Sequence, residues 1–137
     1  MDYETVLFLC PHGAAKSVLA AALCRRMATA HGRALLAVCA GTEPDPEIAP
    51  HVRRLLSEEG LALPIAQPQR VTATMLAEAT SIISLGCDQD ALPAVPRHWE
   101  SWDDVPAPSQ DLHGAYLCIE QHLIVWLQTI QRRSDHD

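Results

Sequence analysis

Apolar residues fall along this chain either in short unbroken runs or in stripes spaced three and four apart, and the two patterns take turns. Thr5 to Cys10, built around Val6-Leu7-Phe8-Leu9, is an unbroken run and predicts a fully buried strand. Ser17 to about His31 is alanine-rich, sets Val18, Leu19, Ala22, Leu23 and Met27 on one face, and predicts a helix stopped by Gly32. Ala34 to Ala40 predicts a second buried strand, closed by Gly41. Thr42 to Pro50 holds three of the ten prolines and reads as a loop. Pro50 suits the first turn of a helix reaching about Glu59, with Val52, Leu55 and Leu56 inward and Gly60 at its end. Thr72 or Thr74 caps a short helix through Ala79, and Ser81 to Leu85 predicts a third strand ending at Gly86-Cys87. Asp88 to Gln110 carries Pro93, Pro96, Pro106 and Pro108 with Trp99 and Trp102, and is too long for a mere connection. Leu112 to Arg132 predicts a long amphipathic helix carrying Leu117, Leu123, Ile124, Trp126, Leu127 and Ile130. Residues from about 131 to 137 read as a frayed tail. Strands alternating with helices imply a parallel sheet in a three-layer, doubly wound α/β sandwich. Ligands in such folds bind beyond the carboxyl ends of the strands, and the loops after Cys10, Gly41 and Cys87 all leave from such ends.

Composition narrows the picture. A length of 137 residues predicts one domain, 1–137, large enough to bury a core without disulfides or metals. The net charge of −7 argues against a nucleic-acid surface, yet leaves room for a local positive site that takes a small anion. No apolar run approaches the ~20 residues of a membrane span. The start Met1-Asp2-Tyr3-Glu4 lacks a basic signal-peptide region, so a cytoplasmic location away from membranes is expected. The five cysteines, Cys10, Cys24, Cys39, Cys87 and Cys118, are an odd set without close pairs and read as reduced thiols. The seven histidines are scattered, and neither a metal nor a cofactor is expected.

The candidate chemistry lies in Cys10-Pro-His-Gly-Ala-Ala-Lys16-Ser17. A buried strand ends in a cysteine, a loop of small residues follows, and a helix opens at Ser17. Backbone N–H groups of His12, Gly13, Ala14, Ala15, Lys16 and Ser17 then converge on one spot and favour an anion there. A cysteine at that spot is expected to ionise easily, and a thiolate in an oxyanion cradle is what cysteine-dependent phosphoryl or arsenate chemistry requires. Lys16 is the one lysine of the chain, against nine arginines. Plainer roles stand beside these: a buried strand-end cysteine for Cys10, a surface turn for Lys16, a helix cap for Ser17, a solvent-facing position for His12. Trp99 and Trp102 either wall a substrate cleft or anchor their long segment. Cys24 and Cys118 are read as core.

The layout resembles the low-molecular-weight protein tyrosine phosphatase family and, in places, its thioredoxin-coupled arsenate reductase branch. The family's Cys-x(5)-Arg-Ser loop has its counterpart in Cys10 to Ser17. Its Ser-Ala-Gly-Thr strand end is matched by Cys39-Ala40-Gly41-Thr42, and the reductases' Met-Gly-Cys-like turn by Leu85-Gly86-Cys87. The segment that supplies the general acid is matched by Trp102-Asp103-Asp104-Val105-Pro106-Ala107-Pro108.

The departures carry as much meaning. Lys16 replaces the family's arginine, trading a flat two-pronged fork for a point charge. Gly13 stands in place of an asparagine with left-handed backbone. Ala107 stands where the resemblance puts the catalytic aspartate, which leaves Asp103, Asp104 or Asp111 as replacement acids. Cys87 matches the middle cysteine of the reductase relay, a possible redox partner of Cys10. Leu92 occupies the place of the resolving cysteine, and Ala15 that of the extra loop cysteine. The resemblance implies a cysteine-dependent phosphatase with Cys10 as nucleophile and phosphate, sulfate or arsenate as bound oxyanion. Two alternatives remain open: an arsenate reductase-like enzyme finished by an external thiol, and a pseudo-phosphatase that binds an oxyanion or a phosphorylated protein or small molecule.

Overall fold

Alternation along the first strand decides how the chain is layered. In the computed structural model, which describes residues 4–135, β1 (Glu4–Cys10) lies between β2 (Leu35–Gly41) and β3 (Ser81–Ser84). Its successive side chains point to opposite faces of the sheet. Val6, Phe8 and Cys10 enter one apolar cluster with residues of α1 (Lys16–Ala30), α2 (Pro50–Glu58) and α4 (Leu112–Asp135). Leu7 and Leu9 enter a second cluster with Ile82 and with Leu76 of α3 (Ala73–Glu78). A strand buried on both faces must read as an unbroken apolar run, which is why β1 is so plain in the sequence.

The sheet has the order β2-β1-β3-β4 and is parallel throughout. Leu7 pairs with Val38 and with Ile82, and Cys10 pairs with Gly41. The turns after β1, β2 and β3 therefore open on the same edge, as the α/β reading expects. The fourth strand, β4 (Trp99–Ser101), is a correction to that reading, which placed only a loop between Asp88 and Gln110. Three residues are too few for a period-two pattern to show. A 3-10 turn, Gln89–Ala91, lies in the same stretch.

Helix boundaries fall close to expectation. The first helix opens at Lys16 rather than Ser17, and its N-cap is Ala15, which has no side chain to cap with. Thr72 caps α3 by accepting a bond from the Met75 N–H. The sequence reading frays the chain from 131, but α4 continues through Asp135, with Ile130 buried beneath its last turns. Residues 136 and 137 lie outside the described residues, as do residues 1–3. Among the described residues no helix is long and apolar enough to cross a membrane.

Candidate active site

Three backbone turns meet at the carboxyl edge of the sheet. The chain leaves β1 at Cys10 and reaches α1 through Pro11 to Ala15. Gly13 takes a left-handed backbone, φ +58°, and a Cβ added there would sit 2.9 Å from the Gly41 nitrogen. A Cβ on Gly41 would sit 2.6 Å from the Gly13 nitrogen. The ends of β1 and β2 are thus packed backbone against backbone, and only glycine fits either position. Gly86, at φ +99°, brings the turn after β3 against Pro11.

The loop's carbonyls are held from behind. Pro11 O accepts from the Glu43 N–H at 2.8 Å, His12 O from Asp45 N–H at 3.0 Å, and Ala14 O from Ala49 N–H at 3.0 Å. The proline-rich segment 42–49 is therefore the scaffold of the loop, a role that sequence reasoning missed; only the Gly41-Thr42 motif hinted at it. Carbonyls turned outward leave the opposite edges of those peptides facing inward. Among the described residues the N–H groups of His12, Ala14, Ala15 and Lys16 make no hydrogen bond to the protein, while Gly13 N–H bonds Cys10 O at 3.3 Å. With Ala15 as a cap that offers no oxygen, the first-turn amides of α1 are also left to an outside acceptor.

Cys10 sits at the floor of this arrangement, buried at 4% exposure. Its Sγ is 3.1 Å from Ser17 Oγ and receives the Ser17 N–H at 3.4 Å. Ser17 is fully buried, so its hydroxyl is spent on the sulfur rather than on solvent or on a helix cap. Lys16 is half-buried beside it, with no ion pair among the described residues. His12 lies on the rim and meets Asp45, Nδ1 to Oδ1, at 3.3 Å.

Two further thiols lie within electrostatic reach of Cys10. Burial pushes Cys39 up to about 12, and the Cys10 sulfur adds to that rise. Burial likewise raises Cys87 to about 11, again with Cys10 adding, while a hydrogen bond with the Thr42 side chain partly offsets it. Cys24, buried in α1, is pushed up to about 12 by burial. These three thiols stay protonated at neutral pH. Ser84 holds the Cys87 turn by accepting its N–H at 2.9 Å.

The carboxylates of the 99–111 segment go elsewhere. Asp104 pairs with His122 of α4 at 2.6 Å, and that hydrogen bond, the largest influence, holds its carboxyl below the usual carboxylate range. Asp111 accepts the Gly114 N–H at 2.9 Å and caps the start of α4. Asp103 is exposed on a turn. Among the described residues none of the three is hydrogen-bonded to residues 10–17. Trp102 is buried against Phe8 and His122, and Trp99 packs on the second cluster, so both anchor their segment. Cys118, read as core, stands only at its edge, half-exposed, with Sγ 3.8 Å from Asp104 O. A cleft of about 810 Å³ between Pro46, Ile48, Arg53 and Gln67 contains no residue of the 10–17 loop.

The family model for low molecular weight phosphotyrosine protein phosphatases matches residues 5–135. The chain belongs to that family. No curated protein sequence matches it. Among solved structures it is similar to the thioredoxin-dependent arsenate reductase of Corynebacterium glutamicum, at 28% identity and TM-score 0.82 over 96% of this chain. The chain spans 63% of that protein's length. It is also similar to an arsenate reductase of Archaeoglobus fulgidus, with 27% identity and TM-score 0.67, covering 91% of this chain and 97% of the other. The tyrosine phosphatase Wzb of Escherichia coli, determined with sulphate, shares the fold at 15% identity and TM-score 0.77, covering 94% and 99% of the two chains. Membership in the low-molecular-weight phosphatase family bears out the resemblance read from the four short motifs, and with it the α/β fold.

Proposed function

We propose that this chain is a cysteine-dependent phosphatase that acts on phosphate esters of acidic phenols. The observation that carries the reading is the pairing of Cys10 Sγ with the N–H and hydroxyl of Ser17, beside loop amides of which His12, Ala14, Ala15 and Lys16 have no protein acceptor among the described residues. The Ser17 N–H is aimed at the sulfur, and donors beyond it stabilise the charge that grows on phosphoryl oxygens. The Cys10 thiolate attacks phosphorus and the phenolate leaves. Water then cleaves the S–P bond and releases phosphate with the thiolate regenerated. Lys16 adds one positive charge to the oxyanion. Among the described residues no carboxylate of the 99–111 segment is hydrogen-bonded to the loop, so on this reading the leaving group departs without a protein proton, which confines the enzyme to phenols that are stable as anions. The sulphate held by the related Wzb supports an oxyanion in this loop, and a phosphorylated protein is a fitting source of substrate. Five free thiols suit a reducing, cytoplasmic compartment.

Turnover of an aryl phosphate with an acidic phenol tests this. Expected is turnover inhibited by inorganic phosphate and abolished in Cys10→Ser. Phosphate binding without turnover would move the reading to a pseudo-phosphatase. A second reading has one observation of its own: the Gly86-Cys87 turn lies against Pro11, the residue that follows Cys10. After Cys10 bonds arsenic, Cys87 gives up its thiol proton and attacks the Cys10 sulfur; the S–As bond breaks with its electron pair left on arsenic, so the two thiols become a disulfide and arsenite is expelled. Leu92 fills the place of the family's resolving cysteine, and the one cysteine further downstream, Cys118, lies on α4 against Asp104, so on this reading an external thiol reduces that disulfide.

A further inference from the structure

Three metal-ligating groups of different kinds meet on the outer side of α4, away from the Cys10 loop in sequence. Cys118 and His122 are four residues apart on that helix and project from one face. Asp104 arrives from the turn that follows Trp102. One carboxylate oxygen, one sulfur and one ring nitrogen of the three lie within 4.8 Å of one another. Asp104 Oδ1 is 2.6 Å from His122 Nε2. The His122 ring is stacked flat on Trp102, with centroids 4.6 Å apart and planes at 8°. Trp102 is itself buried and bonded through Nε1 to Glu100 at 2.6 Å. A ring held in place by buried neighbours is what fixes an imidazole for coordination, since ligand orientation is set by the groups behind it. A surface Asp–His hydrogen bond alone accounts for two of these groups, but not for a thiol one helical turn from the imidazole and facing the same carboxylate.

We propose that Asp104, Cys118 and His122 form a zinc site, with water as the fourth ligand. One sulfur, one imidazole and one carboxylate form a set suited to zinc, and hard cations that want six or more oxygens find only one side chain offering them. With bonds of roughly 2.0–2.3 Å, tetrahedral ligand atoms stand about 3.3–3.8 Å apart. On binding, the wider spacings, up to 4.8 Å, close by about 1 Å, while the 2.6 Å Asp104–His122 pair gives up its hydrogen bond and opens by roughly 1 Å, movements that the 66%-exposed Asp104 side chain allows. Cys118 gives up its thiol proton to solvent as the S–Zn bond forms, and His122 binds as neutral imidazole. The ion ties the segment leading to Ala107 onto α4.

The test uses the full chain carrying Cys10→Ser, so that the loop thiol cannot compete. It is titrated with zinc chloride against a chromogenic chelator, and separately with cobalt(II). Expected is one equivalent bound per chain, with a sulfur-to-cobalt charge-transfer band and the intense visible bands of tetrahedral cobalt. Cys118→Ser removes the charge-transfer band and weakens zinc by roughly 10–100-fold or more, and Asp104→Asn, an exposed change that leaves the Trp102 stack in place, weakens it similarly. Absence of stoichiometric binding overturns the proposal. So does zinc affinity that Cys118→Ser and Asp104→Asn leave unchanged.

Discussion

Gly41 shows how tightly the anion loop is set. The atoms that an added methyl would strike are all backbone: Gly13 N at 2.6 Å, His12 C at 2.9 Å and Pro11 O at 2.9 Å. Backbone cannot rotate aside as a side chain can, so the loop itself must move. Gly41→Ala is expected to destabilise the fold by about 1–3 kcal/mol. It should also cost most of the phosphate affinity, whereas Gly32→Ala, with open space around it, should leave binding intact. Calorimetric titration with phosphate and urea unfolding of both variants check this; equal phosphate affinity in Gly41→Ala would show that the loop is not held by β2. At this scale the sequence was readable where residue type carries the chemistry. Cys10, Ser17 and the solitary Lys16 drew attention by identity and spacing. The amides of Glu43, Asp45 and Ala49 did not, because any residue but proline supplies a backbone N–H.

Among elements, the 99–111 segment is where pattern and structure part. Its strand β4 is three residues long and starts just after His98, which sits at φ +51°, so neither length nor local preference announces it. Two of its carboxylates are spent on α4, Asp104 on His122 and Asp111 on the helix start, while Glu100 accepts from Trp102 and Asp103 is exposed. Ala107 O accepts the N–H groups of both Gln110 and Asp111 at 2.9 Å, which fixes the turn around Ala107-Pro108. If this turn faces the loop as the family resemblance implies, Ala107→Asp places a carboxyl near the leaving oxygen. A poor leaving group needs that proton and gains up to about 10²–10⁴ in rate, while an acidic phenol gains little. Lys16→Arg acts on the oxyanion instead and should speed both substrates alike. Rates of the two variants on a good and a poor leaving group separate these effects. Equal acceleration of both substrates by Ala107→Asp would mean the turn does not deliver a proton at Cys10.

At the scale of the whole molecule, the sheet buried on two faces was legible because both faces must be apolar: β1 and the centre of β2 could be nothing else. The same burial encloses thiols whose positions in the sequence say nothing of their acidity. Cys24 and Cys39, at 0% and 2% exposure, are pushed by burial from 9.0 up to about 12. In the folded protein they keep their protons to about that pH, whereas in the unfolded chain they release them near 9.0. Above that lower value the unfolded state holds fewer protons than the folded one, so stability is complete below it and declines as pH rises toward about 12. Each thiol contributes a slope of up to about 1.4 kcal/mol per pH unit across that window. Urea midpoints measured from about pH 8 to about pH 11 should therefore fall steeply in the wild type. The double variant Cys24→Ala, Cys39→Ala starts lower, because two buried sulfurs are lost, yet its midpoint should fall less with pH. Other alkaline groups titrate in both proteins and cancel in the comparison, so parallel declines would show that the two thiols are not what the folded core keeps protonated.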